Sequence, residues 1–184
     1  EESGGTRTAG ARVLPNHVVI ENSPTVSLRV SFRVGSSSDP KAMAGLTRLT
    51  GRYLVQRTKT THPELFAMGA QITVQVDKDQ IVFVGRVHRD QLNAFLPIFE
   101  SLFSAPQKDA PLFGRLKQQA LHQLKKLQSA DMEALGKEWI QSLIYANHPY
   151  QHPTVGTTRG LDACTLSALL EHYGNHFCTD RMLW

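Results

Sequence analysis

TVSLRVSFRVGSSSDPKAMAGLTRLTGRYL, residues 25–54, changes its apolar period partway along. Val26, Leu28, Val30, Phe32 and Val34 alternate with polar neighbours, the period of two that a half-buried strand requires. GSSSDP closes that strand. Over Ala42–Arg57 the apolar residues Leu46, Leu49, Tyr53 and Leu54 then recur near helical spacing. The helix is unusual in two respects. Gly51 sits mid-turn, where glycine costs about 1 kcal/mol relative to alanine, and Arg48 and Arg52 stand four residues apart on one face.

Upstream, Arg12–Glu21 reads as another β-rich run around LPNH, and residues 1–11 as a flexible Gly/Ser/Thr-rich lead. Downstream, Pro63 starts a short helix that Gly69 ends. AQITVQVDKDQIVFVGRV, residues 70–87, predicts a hairpin with DKD at its turn: Ile72, Val74 and Val76 alternate on one arm, Ile81, Phe83 and Val87 on the other. Helices are predicted at about Asp90–Phe103, Pro111–Gln128, Met132–Ala146 and Thr165–Tyr173, and RMLW begins one more strand. The order predicts an α+β fold, a mostly antiparallel sheet covered by helices.

The chain has 184 residues, 41% hydrophobic and 20% charged, enough for one ordinary core. Twenty basic against 16 acidic residues leave a formal charge of +4 with no long cationic run, so no nucleic-acid partner is expected. No apolar run approaches the roughly 18–20 residues a membrane span needs, and the N-terminus lacks a signal-peptide pattern. Cys164 and Cys178 flank a predicted helix of about ten residues, which holds them beyond the roughly 7 Å reach of a disulfide. Unpaired cysteines fit a reducing compartment slightly better than an oxidising one.

Several motifs are read as structural. His148 and His152 in HPYQHP have metal-pair spacing, but the prolines that follow them prevent helical registration, and loop packing is the preferred role. His172 and His176 share that spacing beside Gly174 and Asn175, which read as a helix cap, so interaction with the helix dipole is preferred there. KQQALHQLKK, residues 117–126, is a basic amphipathic segment without interleaved aromatics, read as a solvated face. No G-x-S-x-G elbow, phosphate loop or dinucleotide fingerprint is present.

The order of features carries more than any single motif. RVLPNH at 12–17, the strand ending VGSSSDP at 34–40, GLTRLTGRYL at 45–54, ELFAMGA at 64–70, HPYQHPTVGT at 148–157 and HFCTDRM at 176–182 together resemble the N-terminal domain of the pitrilysin or insulinase family of zinc metallopeptidases. That resemblance runs from about residue 12 to the end. It implies a metallopeptidase-like fold, similar to mitochondrial processing peptidase, and one domain over 12–184 that is a fragment of a longer two-domain chain.

The resemblance also implies a site. Family members carry H-x-x-E-H on this helix, two histidines for one Zn²⁺ and a glutamate as general base, with a third ligand, Glu, on a later helix. Matched position by position, Arg48 and Arg52 replace the histidines and Gly51 the glutamate, and in the region of His122 and Gln123 the latter matches the third ligand. Guanidinium offers five donors and no acceptor, so neither arginine can ligate a dication. The edge strand that pairs with substrate backbone in the family matches Ala70, Gln71, Ile72, Thr73 and Val74.

The expectation is therefore a non-catalytic, pseudoenzyme domain with no zinc, the partner or regulatory half of a clamshell that holds extended peptides. Its expected partners are a second domain of the same protein, a catalytic pitrilysin-family subunit and peptide. Arg48 and Arg52 either add positive potential to the cavity or pair with acidic residues, and pairing is preferred. An active zinc peptidase with a displaced metal site and a structural core subunit of a larger complex are the alternatives. The compartment stays open between bacterial periplasm, cytoplasm and mitochondrion.

Overall fold

The computed structural model describes residues 23–130, 132–178 and 181–183, and the predicted run Arg12–Glu21 lies outside them. Alternation in 25–34 forms strand β1, Thr25–Phe32, and the hairpin forms β2, Gln71–Val76, and β3, Ile81–His88. A short strand β4, Met182–Leu183, pairs antiparallel with the end of β1 through Phe32 and Met182, so RMLW does contribute a strand. Among the described residues the sheet order is β2-β3-β1-β4, with β2 at an edge.

Register explains which face is covered. Val30 stands opposite Phe83 and Phe32 opposite Ile81, while on the other side of β3 Val74 faces Phe83 and Val76 faces Ile81. Because side chains alternate along each strand, these residues share one face, and Val30, Phe32, Ile81 and Phe83 are almost wholly buried there. Arg29 and Thr73, on the opposite phase, are exposed.

Seven α-helices complete the described residues: α1 Leu46–Thr61, α2 Glu64–Ala67, α3 Leu92–Ser101, α4 Ala110–Ala130, α5 Met132–Ile144, α6 Thr158–Ala163 and α7 Leu166–His176. Helix α1 is the pivot of the packing. Leu54 and Val55 join the sheet-side core with Ile72, Ile81 and Phe83. Leu46, Leu49 and Tyr53 join a second core with Leu112 and Leu116 of α4 and Leu169 of α7. No helix among the described residues is long and apolar enough to cross a membrane.

Boundaries moved for local reasons. α1 begins at Leu46 rather than Ala42 because Gly45 has φ 104°, outside the helical region, and because Asp39 caps the helix from six residues upstream. α7 runs to His176, so Gly174 and Asn175 are helical residues and not the cap expected of them. Helix α6 was not predicted; Thr157 caps it by accepting from the Gly160 amide at 2.9 Å.

Candidate functional site

A buried hydrogen-bond cluster sets the position of α1. The Asp39 carboxylate accepts from the Gly45 and Thr47 amides, each at 2.7 Å, and from the Thr47 hydroxyl at 2.7 Å. Those are donors that a helix start leaves without intrahelical partners. Burial raises the Asp39 pKa above the usual carboxylate range, and the bonds from Thr47 and Gly45 oppose that rise. Thr47 Oγ1 also lies 2.9 Å from His172 Nε2 on α7. At the same end, a Cβ on Gly156 would stand 2.7 Å from the Ala44 carbonyl oxygen, so a side chain there would push the HPTVGT loop off α1.

From that anchored start, α1 presents Arg48 and Arg52 one turn apart toward α4. Arg52 Nη1 donates to Gln123 Oε1 on α4 at 2.7 Å across 71 residues of sequence. The structure thus brings together Arg52 and the residue matched to the third ligand, while His122 is exposed. Burial, and then the neighbouring Arg48 charge, lower the Arg52 pKa, though a guanidinium stays protonated at working pH. Neither arginine forms an ion pair with a carboxylate among the described residues. Among the described residues the partner of Arg52 is a neutral amide and not the acidic group that was preferred.

Gly51 faces the other way. A Cβ there would lie 2.6 Å from Ile81 Cδ1 and 2.9 Å from Val74 Cγ2, so sheet side chains fill the space in which a side chain at this position would begin. The glycine serves close packing of α1 on β2 and β3.

Between α1, α4 and the edge strand lies a cleft of about 580 Å³. Arg48, Arg52 and Lys59 line it, and no carboxylate among the described residues does. These cations recur with Gln56 at i, i+4, i+8 and i+11 on α1, a stripe that extends the Arg48–Arg52 pair and is visible on a helical wheel. The opposite wall is the run Ile72–Val76 of β2. Of the residues matched to substrate pairing, Gln71 and Thr73 are exposed, Ala70 and Val74 half-buried, and Ile72 is core, so Ile72 offers a partner only its backbone. A small second cleft, about 290 Å³, continues past Arg48, Arg52 and Gln123 to Leu124 and Leu127.

The histidines do other work. His148 Nδ1 accepts from the Tyr150 amide at 3.2 Å, its ring meets Tyr145 and Tyr150, and His152 accepts through its carbonyl from Lys78 Nζ at 2.6 Å: loop packing in both cases. His172 departs from the dipole reading. Burial and then the nearby His176 push its pKa down to about 4, so at neutral pH it is an uncharged partner of Thr47. Lys117 of the basic segment caps α6, donating to the Asp162 and Cys164 carbonyls at 2.6 and 3.1 Å. Cys164 and Cys178 are free thiols, and burial pushes that of Cys164 up to about 11.

Fold and cleft together make an α+β domain, a helix-covered antiparallel sheet whose edge strand borders a cavity. The sequence profile described as insulinase (peptidase family M16) matches residues 17–158. The chain belongs to that family. Among solved structures it is similar to a peptidase M16 inactive domain from Pseudomonas fluorescens, with TM-score 0.76 and 23% identity over 89% of this chain and 41% of that one. It is also similar to pitrilysin, with TM-score 0.72 and 16% identity over 88% and 18% of the two chains. A chain of complex III2 from Candida albicans matches with TM-score 0.71 and 18% identity over 89% and 37%. The chain thus spans less than half the length of these structures. No curated protein sequence matches it significantly.

A zinc ion, which the family implies, does not fit the residues present. Arg48 and Arg52 have no lone pair to donate, and the Gln123 oxygen is engaged by Arg52.

Proposed function

We propose that this domain is a non-catalytic member of its family, the partner half of a peptidase clamshell, and that it holds extended peptides with acidic segments. One observation carries the reading: among the described residues, Arg48, Arg52 and Lys59 line a cleft without a carboxylate, beside β2 at the edge of the sheet. An extended chain adding to that edge finds backbone partners without regard to its sequence. The guanidinium groups between low-dielectric walls then favour segments carrying Asp or Glu. Bond cleavage forms no part of the role, because nothing at positions 48, 51 or 52 can hold a metal or take a proton from water. A second domain and a catalytic subunit of the same family complete the enclosure.

The test combines binding with chemistry. Fluorescence anisotropy should show acidic peptides binding more tightly than their Gln/Asn counterparts, with affinity falling as salt rises. The double substitution Arg48→Glu, Arg52→Glu should weaken acidic peptides by at least about tenfold and leave neutral ones within about twofold. Equal affinity for acidic and neutral peptides would remove the electrostatic part of the proposal. Stoichiometric zinc surviving dialysis together with peptidase activity would remove the rest.

A further inference from the structure

Beyond Leu124 and Leu127 the cleft meets a larger cavity, about 930 Å³, on the far side of those two side chains. Both leucines line both spaces, Leu124 nearly buried and Leu127 half so. The rings of Pro40, Pro149 and Pro153 contribute the other apolar walls. Its outer wall is fastened and not a loose loop. Lys78 Nζ, from the turn of the β2–β3 hairpin, donates to the Tyr150 and His152 carbonyls at 3.1 and 2.6 Å, and the Tyr150 hydroxyl bonds Asp79. Its volume lies in the range of pre-formed ligand pockets, which are mostly apolar with a few polar groups.

We infer that this cavity is a side-chain subsite, and that the peptides held in the cleft carry a bulky apolar residue about two positions from their acidic one. The inference rests on the peptide-holding reading above and adds a second recognition element to it. The spacing follows from α4. Gln123 meets Arg52 at the cationic centre, and Leu127 follows one turn later, about 6 Å along the helix at 1.5 Å per residue. An extended chain rises about 3.3 Å per residue, so about two residues cover that distance. Charge complementarity fixes the occupant of the first part, whose described lining has cations and no carboxylate. In the second part, leucine and proline side chains offer apolar walls beside polar groups that include Asp39, Lys41, His148 and His152, and a leucine or phenylalanine side chain packed on those apolar walls leaves water.

The experiment uses the full protein and three labelled peptides in anisotropy: an acidic pair followed two residues on by Leu, the same peptide with Ser for Leu, and the Leu peptide with Gln for the acids. Replacing Leu by Ser should cost about tenfold in affinity, the order expected for burying one such side chain. The substitution Leu127→Asp should erase that difference. Should Leu127→Asp fail to fold, a benzoylphenylalanine at the apolar position supplies the same information by photo-crosslinking: adducts at 124–128 or 147–153 support the subsite, and adducts confined to other segments overturn it. Salt-sensitive binding of the acidic peptides that ignores Leu versus Ser overturns the subsite and leaves the peptide-holding role standing. Absence of any salt-sensitive peptide binding overturns both.

Discussion

Replacing Gly51 by alanine sets two effects of known sign against each other. In an open helix interior the change stabilises by about 1 kcal/mol. Here the new methyl would lie 2.6 Å from Ile81 Cδ1 and 2.9 Å from Val74 Cγ2, well inside the roughly 3.5–4 Å at which carbon atoms rest. Cδ1 is the movable end of its side chain, but Ile81 is 0% exposed and has little room to turn. Val74 is β-branched and stiff in its strand. Forcing a methyl into such a contact costs about 1–3 kcal/mol, so Gly51→Ala should lose about 1 kcal/mol net in urea unfolding followed by circular dichroism. Ile81→Val, which deletes Cδ1, should cost about 1 kcal/mol alone. The double variant should then be about as stable as Ile81→Val, a coupling of about 1 kcal/mol. If alanine stabilised the protein by its helix preference in both backgrounds, with no coupling, the packing explanation for this glycine would be wrong.

His172 supplies a pH signature. Its pKa of about 4 in the folded state lies below the ordinary 6.5, so between those values the unfolded chain binds more protons and stability falls as pH drops. The loss approaches about 3 kcal/mol at pH 4 and is about 2 kcal/mol at pH 5; urea midpoints of wild type and His172→Gln should diverge by that amount, and parallel curves would assign the acid sensitivity elsewhere. Asp39→Ala strands two buried amides, while the Thr47 hydroxyl keeps the Gly35 carbonyl as an acceptor at 3.1 Å, and should lower stability by about 2–4 kcal/mol with early fraying of α1 in hydrogen exchange. Tyr53→Phe removes a hydroxyl that donates to the Gln107 carbonyl and accepts from the Asp109 amide, at 2.8 and 2.9 Å, and should cost about 1–2 kcal/mol in the same unfolding assay.

What was legible in the sequence follows from what is local. Alternation in 25–34 and 70–87 specified three strands and the covered face, because a one-residue slip would have put Val30 and Phe83 in water. The start of α1 was less legible, since its cap is an aspartate outside the helix and its stop signal a glycine with positive φ. With six residues and Leu161 as its one large apolar side chain, α6 has no period to detect; only the Thr157 cap announced it. At the site, Arg48 and Arg52 could be read from spacing. The neutral partner of Arg52 could not, because it depends on what α4 places beside it. The neutral state of His172 likewise comes from its burial beneath α1, which helical position alone does not disclose.

Helix α1 also shows why binding and catalysis are separable here. Leu46, Leu49, Tyr53 and Leu54 are at most 1% exposed and build both cores, whereas Arg48 and Arg52 are half-buried on the strip that borders the cleft. Chemistry can therefore change along that strip at little cost to the fold, provided no buried charge is stranded. The single site position that lies off the strip is Gly51, where Val74 and Ile81 have closed against the helix. Restoring a glutamate there thus demands movement of the sheet, and Val74 belongs to the edge strand that would hold the peptide. The packing that leaves no room for a side chain at position 51 is also packing against β2, so on the proposed reading the missing general base and the placement of the peptide-holding strand are joined in one contact.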